Sequence, residues 1–227
     1  MTPLNRNQIA WRAAQDIWDG AYVNLGVGIP SLIPDYIPKD REVVLQAEVG
    51  IIGMGPTPKP DAVDPDIFNA STQPTSFVPG GSTFDHTDSF LMIRGGHLDI
   101  AMLGAFEVSE KGDLANWNTG DPATAPSVGG AMDLAVGAKA IRVLMEHTTK
   151  DGKPRILTQC RYPLTAPHCV KAIYTSLAVI DVTPGGLVVR ETIPDLDFAQ
   201  LQAVTEAKLS LSPDWRVLEA PAIVPSP

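Results

Sequence analysis

Ile9, Ala13 and Ile17 recur on one face at helical spacing, with Ala10, Ala14 and Trp18 beside them, an apolar stripe wide enough to lie on a sheet. Asn5 and Gln8 fit the first and last places of a capping box, and Gly20 supplies a stop, so residues 5–20 predict an amphipathic helix. "AYVNL" then reads as a strand, "GVGIP" as a turn, and the residues from Pro30 as a short helix with proline in its first turn. "EVVLQA" is a short continuous apolar run, the pattern of a strand buried on both faces. Glu48 follows it directly, and Gly50, Gly53 and Gly55 come next. That sets one carboxylate at the carboxyl end of a buried strand, where open α/β sheets hold their ligands. Residues 56–83 are dense in Pro, Asp, Ser and Gly and predict a long surface loop.

Further along, "FLMIRGGHLDIAMLGAFEV" carries a helix and then a strand over residues 99–108, with "RGGH" as the turn between them. "VGGAMDLAVGAKAIRVLMEH" is a glycine-started helix running into another strand. "KDGK" predicts a hairpin turn that returns the chain through residues 155–157. "SLAVIDV", "TPGG" and "LVVRET" form a second hairpin, and Asp197 with Gln200 caps a last helix through Leu209. Strands alternating with helices across short gaps predict one α/β domain, residues 1–218: a mostly parallel open sheet with helices on both faces and antiparallel additions late in the chain. Residues 219–227 read as a loosely attached, proline-rich tail.

Composition narrows the function. With 227 residues, 44% apolar and 19% charged, the chain is long enough for one sizeable core. A formal net charge of -9 opposes nucleic-acid binding, which needs clustered Lys and Arg, but leaves room for a small anionic ligand held by backbone amides and local cations. No apolar run approaches the roughly 18 residues of a membrane span. Cys160 and Cys169 are too few for a disulfide scaffold and match no usual zinc spacing, which fits a reduced, cytoplasmic setting.

Several stretches carry chemistry with two readings each. "GVGIPS" begins like a dinucleotide fingerprint, but Ser31 stands where Gly or Ala is needed and Pro30 interrupts. It reads as a tight turn, or as a loop whose Gly26 and Gly28 let a ligand approach backbone amides beside Asn24. His86 in "DHTD" lacks a second cluster to complete a metal site, so no bound metal is expected. "SVGGAMDLA" offers Gly129 and Gly130 either as oxyanion donors or as a site of close helix–sheet packing. Glu48 either caps its turn or acts as a nucleophile or base. An ionised carboxylate attacks an activated acyl group without a separate base.

Taken together, "VNLGVGIPSLIPDYIP", "VVLQAEVGIIGMGPTP", "SFLMIRGGHLDIAMLGAFEVSEKGDLANW" and "GGAMDLAVGAK" resemble the B (β) subunit of 3-oxoacid CoA-transferases, in order and spacing, from about residue 8 to 211. The resemblance implies the three-layer fold of those enzymes and transfer of CoA from succinyl-CoA to a 3-oxo acid, 3-oxoadipate first and acetoacetate next. It implies that Glu48 forms a glutamyl-CoA thioester, that Asn24 lies near the reactive centre, and that Gly129, with Gly130 beside it, donates to the oxyanion. Gly26, Gly28, Gly50 and Gly53 are expected near the site. CoA would be substrate and covalent intermediate, with no permanent cofactor. A homologous A (α) subunit is the expected partner, in an α2β2 or similar heteromer, and little activity is expected of this chain alone. Where the family carries Ser-Glu-Asn-Gly, this chain has Ala47-Glu48-Val49-Gly50. Arg94, Lys139 and Arg142 are the nearby candidates by motif for a cation that meets a second carboxylate on the acceptor, and the A subunit could equally supply it. Two other readings share the sheet architecture: a CoA-ester hydrolase or lyase without a covalent intermediate, and a non-catalytic ligand-sensing domain.

Overall fold

The capping box forms as the sequence predicts: Asn5 Oδ1 accepts from the Gln8 amide at 2.9 Å, and Gln8 Oε1 accepts from the Asn5 amide at 3.0 Å. It opens α1 (Arg6–Ala14) in a computed structural model that describes residues 2–123 and 125–223. The helix stops short of Gly20. After Ala14 the bonds tighten to Asp16 N–H onto Ala13 O and Ile17 N–H onto Ala14 O, while the Arg41 guanidinium takes the carbonyls of Gln15 and Ile17. Those carbonyls are thereby satisfied without a further helical turn.

The chain continues through β1 (Tyr22–Leu25), a 3-10 helix (Ile29–Tyr36), β2 (Val44–Ala47), β3 (Ile51–Met54), a 3-10 turn (Pro60–Ala62), β4 (Phe77–Thr83), α2 (His86–Arg94), β5 (Ile100–Gly104), β6 (Glu107–Ser109) and β7 (Leu114–Ala115). Next come α3 (Ala131–Gly137), β8 (Ala140–Met145), β9 (Ile156–Leu157), β10 (Val170–Thr175), β11 (Ala178–Thr183), β12 (Gly186–Thr192), α4 (Phe198–Ala203) and β13 (Leu209–Val217). One large sheet runs β13-β12-β11-β10-β8-β5-β1-β2-β3-β4. Its middle, β10-β8-β5-β1-β2, is parallel. Antiparallel pairs flank it at both ends: β10-β11-β12 on one side and β2-β3-β4 on the other. The α/β class with a parallel centre is as the sequence predicts, and the antiparallel additions occur early as well as late.

The two sheet faces are covered differently. α1 and the 3-10 helix pack over one face, where Arg142 of β8 donates to Asp16 O and Tyr174 of β10 donates to Asp16 Oδ2. α2 lies over the other and packs on α3. The strands between them are buried on both sides, as continuous apolar runs require: Val23, Leu45, Ile100, Met102, Ile141 and Val143 are all sealed from solvent.

Four expectations are revised. The strand foreseen over 99–108 breaks after Gly104, and β6 leaves for a second, three-stranded sheet in the order β7-β6-β9. Arg155 fixes the break by donating to the carbonyls of Ala105 and Phe106, both freed from the ladder. The "KDGK" turn does form, with Thr149 N–H bonded to Lys153 O, but β9 runs parallel to β6 instead of returning along β8. Within the supposed loop of residues 56–83, the last seven residues are the edge strand β4, which carries Pro79 as edge strands tolerate. The last helix ends at Ala203 and leads to β13, not to Leu209. At the carboxyl end, Asn5 Nδ2 donates to Ile223 O and Gln8 Nε2 to Pro221 O, tying residues 221–223 to the start of α1. The rest of the expected tail, residues 224–227, lies outside the described residues.

His147, just past β8, is sealed from solvent between Thr175 Oγ1 at 2.9 Å and Thr205 Oγ1 at 2.8 Å. Burial pushes its pKa down to about 4. The fold therefore keeps it neutral where the unfolded chain, with an ordinary pKa near 6.5, binds a proton. Its cost is absent above pH 6.5 and grows as pH falls towards 4, reaching roughly 3 kcal/mol. Urea midpoints measured from pH 7 to pH 4 should fall steeply in the wild-type protein and less steeply in His147→Gln. Parallel slopes would show that this histidine does not set the acid limit.

Candidate active site

The side chain of Glu48 projects from a turn, not from a strand end alone. β2 and β3 pair antiparallel with Ala47 opposite Ile51, so residues 48–50 form a three-residue hairpin closed by Gly50 N–H onto Ala47 O at 3.0 Å. Gly50 has φ +102°, and a Cβ there would lie 2.2 Å from the Phe84 carbonyl oxygen. Gly53, at φ +77°, lets β4 approach until a Cβ would stand 2.6 Å from Gly81 Cα. Both glycines shape the hairpin. They are not among the residues that line the adjoining cavity.

Behind Glu48 lies a chain of buried polar groups. Asn24 on β1 is fully buried, and its Nδ2 donates to Glu48 Oε2 at 3.3 Å and to Gln46 Oε1 at 2.6 Å. Gln46 on β2 donates through Nε2 to Ser89 Oγ on α2, and Ser89 donates to Ala47 O at 3.1 Å. Asn24 Oδ1 has no hydrogen-bond partner among the described residues. Asn24 and Gln46 are direct neighbours because β1 and β2 pair in parallel register.

In front of Glu48 opens a cavity of about 660 Å³. Its walls are the carboxyl ends of β1, β5 and β8 with the loops that follow: Gly26 to Ile29, Leu103 to Phe106, and Leu144 to Glu146. Residues 127–131, including Gly129 and Gly130, close another side. A Cβ on Gly130 would press on Phe90 Cζ at 3.2 Å and stand 3.7 Å from Glu48 Cγ, so the bare backbone of Gly130 passes close beside the carboxylate. Glu48, Gly26, Gly28, Gly129 and Gly130 thus meet at one cavity, and Asn24 reaches it through Glu48.

The cations do not match expectation. Arg94 pairs with Asp133 at 2.7 Å and stacks on Phe90 at 5.6 Å. Lys139 pairs with Asp99 at 2.8 Å. Arg142 lies on the α1 face against Trp18. None lines the cavity. Arg6, the first residue of α1, and Arg155 do. Arg6 is exposed and makes no hydrogen bond or ion pair among the described residues, and its guanidinium lies near Gly28. Among the described residues, Arg155 donates only to the main-chain carbonyls of Ala105, Phe106 and Glu146. Burial lowers its pKa, against the pull of Glu146 and Glu107. Neither arginine stands in a stretch whose local pattern suggests binding. The polar interruptions Asn24 in "YVNL" and Gln46 in "VVLQA" were the visible signal for the buried chain. Ser89 gave none.

Similarity to known proteins shows the family. The family model described as coenzyme A transferase matches residues 6–202. The chain is 53% identical over 206 residues to the B subunit of the 3-oxoadipate CoA-transferase of Pseudomonas putida, covering 91% of this chain and 96% of that one. It is 40% identical over 209 residues to the β subunit of the acetate CoA-transferase of Escherichia coli K12, covering 92% and 95%. Among solved structures, an acyl-CoA transferase from Escherichia coli O157:H7 superposes with a TM-score of 0.72 at 21% identity. That match covers 96% of this chain and 44% of the longer one, and speaks for the fold. With a parallel-centred sheet and a match along nearly its whole length, this chain belongs to the coenzyme A transferase family, a family of transferases.

Proposed function

We propose that this chain is the B subunit of a succinyl-CoA:3-oxoacid CoA-transferase, with Glu48 as the residue that becomes acylated and 3-oxoadipate as the favoured acceptor. The observation that carries the reading is the place of Glu48: a carboxylate at the floor of the strand-end cavity, supported from behind by Asn24 and met in front by the bare backbone of Gly130.

In the first step the Glu48 carboxylate attacks the succinyl-CoA carbonyl, the C–S bond breaks, and a mixed anhydride and CoA thiolate result. The thiolate then attacks the glutamyl carbonyl, forming a glutamyl-CoA thioester and releasing succinate. The acceptor carboxylate attacks that thioester, freeing the thiolate and forming a second anhydride. Attack of the thiolate on the acceptor carbonyl returns Glu48 as a carboxylate and releases the new acyl-CoA. One thioester replaces another, and no proton or electron is gained overall. The amides at Gly129 and Gly130 are suited to the oxyanions that form in each step, a role typically worth about 3 kcal/mol per donor.

A thioester intermediate needs shelter from water. Val27 on the cavity wall, 63% exposed, and Val49 within the Glu48 turn, 40% exposed, are bare apolar side chains. They suit a covering chain, which supports a homologous A subunit as the partner that completes the site. Incubation of the co-expressed complex with succinyl-CoA, followed by borohydride or hydroxylamine trapping and peptide mass spectrometry, should mark the peptide holding Glu48. A complex that consumes succinyl-CoA without that mark would point instead to hydrolysis or lysis without a covalent intermediate.

For the acceptor, succinyl and 3-oxoadipyl groups both carry a second carboxylate, and the cavity cations Arg6 and Arg155 suit it. Arg6 is the cleaner probe because its guanidinium has no hydrogen bond or ion pair among the described residues, whereas Arg155 holds three main-chain carbonyls. Arg6→Met should cut kcat/KM for 3-oxoadipate about tenfold to a hundredfold, the usual worth of a charge-assisted hydrogen bond, and leave acetoacetate nearly unchanged. Equal losses for both acceptors would remove Arg6 from specificity.

A further inference from the structure

We infer that Gln46 and Ser89 are positioning residues that fix which end of the Asn24 amide faces Glu48. This rests on the reading of Glu48 as the acylated residue. The polarity follows step by step from hydrogen-bonding capacity. The Ala47 carbonyl can only accept, so Ser89, 3.1 Å away, directs its hydroxyl proton there. Ser89 Oγ is then left to accept, and Gln46 must present Nε2 to it. Gln46 Oε1 consequently faces Asn24, and Asn24 must answer with Nδ2 at 2.6 Å. The second hydrogen on that nitrogen points to Glu48 Oε2 at 3.3 Å.

Reversing Asn24 would set its Oδ1 against Gln46 Oε1 and the Glu48 carboxylate, acceptor against acceptors. The relay excludes that arrangement. It starts at the carbonyl of Ala47 and ends on the side chain of Glu48, the next residue, so it closes a loop around the base of the hairpin. Asn24, Gln46 and Ser89 are each no more than 1% exposed, which denies water the chance to substitute for any link. The orphaned Asn24 Oδ1 marks an orientation chosen for its donor end, since an unmet buried acceptor typically costs about 1–3 kcal/mol. Glu48 Oε2 is engaged, while Oε1 has no partner among the described residues and is the oxygen left to attack.

The relay also explains how this chain manages without the Ser and Asn that flank the family's glutamate. Support for the carboxylate comes from neighbouring β1 and from α2, not from the turn itself.

Ser89→Ala removes the proton that sets the polarity while changing little volume. In the complex with the A subunit, single-turnover formation of the glutamyl-CoA thioester should slow about tenfold in Ser89→Ala, with the KM for succinyl-CoA unchanged. Gln46→Met should slow it about a hundredfold, as expected for a misplaced reacting group. Ser89→Thr, which keeps the hydroxyl, should restore a rate near that of the wild type. A double-mutant cycle adds a readout that simple destabilisation would not move: Ser89→Ala should cost almost nothing further in an Asn24→Ala background. Wild-type rates in Ser89→Ala, or fully additive losses in the cycle, would overturn the relay. Absence of any thioester in the wild-type complex would instead overturn the reading of Glu48 on which it rests.

Discussion

Glu48→Ala should abolish CoA transfer, lowering kcat by at least about four orders of magnitude, because the other carboxylate lining the cavity, Glu146, belongs to the wall past β8 and has neither the Asn24 donor nor the Gly130 backbone beside it. The half-buried carboxylate has one side-chain donor, Asn24, and faces the cavity across the bare backbone of Gly130. The neighbouring turn residues, Ala47 and Val49, carry no nucleophile. Glu48→Asp is the sharper variant. It keeps the charge and the chemistry but withdraws the carboxylate by one methylene from the cavity, and should lose about a hundredfold in rate while still forming a trappable adduct. The pair is read by coupled assay of acyl-CoA formation and by intact-mass analysis after succinyl-CoA is added. Substantial transfer by Glu48→Ala would sink the covalent route, and hydrolysis persisting in that variant would favour a water-based reaction in the same cavity.

The largest effect on stability is expected at Glu191. This residue of β12 is 1% exposed and receives Arg12 of α1 in a bidentate pair at 2.6 and 2.8 Å, with Arg216 of β13 at 2.6 Å on the same carboxylate. Burial would raise the Glu191 pKa, but the hydrogen bond and charge of Arg12, joined by Arg216, outweigh that and hold it below the usual carboxylate range. Arg12, itself 4% exposed, is likewise opposed by burial and held charged by Glu191 and Asp16. Glu191→Ala leaves the Arg12 guanidinium buried with only Asp16 to answer it. About 3–5 kcal/mol of unfolding free energy should be lost, measurable by urea denaturation. Replacing both partners, as Arg12→Leu with Glu191→Leu, should cost distinctly less, because a buried pair spends much of its attraction on its own desolvation. If the double variant is as unstable as the single one, packing and not the unpaired charge is responsible.

Some of this protein was determined within short windows of its sequence. Asn5 with Gln8 and Asp197 with Gln200 specify their helix starts because a capping box involves residues only three apart. "TPGG" specifies the β11–β12 hairpin for the same local reason. The apolar run ending at Ala47 is enough to put Glu48 at a strand end, and the order of the longer motifs is enough to indicate the family.

Other features depend on partners distant in the chain. The edge strands β4 and β13 alternate poorly, since an edge exposed to solvent imposes little pattern, so β4 reads as loop and β13, past Leu209, gives no strand signal. The break between β5 and β6 depends on Arg155, about fifty residues away, taking two carbonyls. What Gly50 and Gly53 do became legible only when strand pairing put Phe84 and Gly81 in the space their missing side chains leave. Arg94, Lys139 and Arg142 stand near the motifs in sequence, yet carboxylates, aromatic rings and the opposite sheet face claim them, while Arg6 and Arg155 reach the cavity by the course of the chain. The sequence alone determined the helix starts, the central strands and the place of Glu48 after one of them, because caps, turns and apolar runs act over a few residues. Tertiary structure decided what surrounds Glu48, because parallel register sets Asn24 beside Gln46 and helix packing brings Ser89 to them.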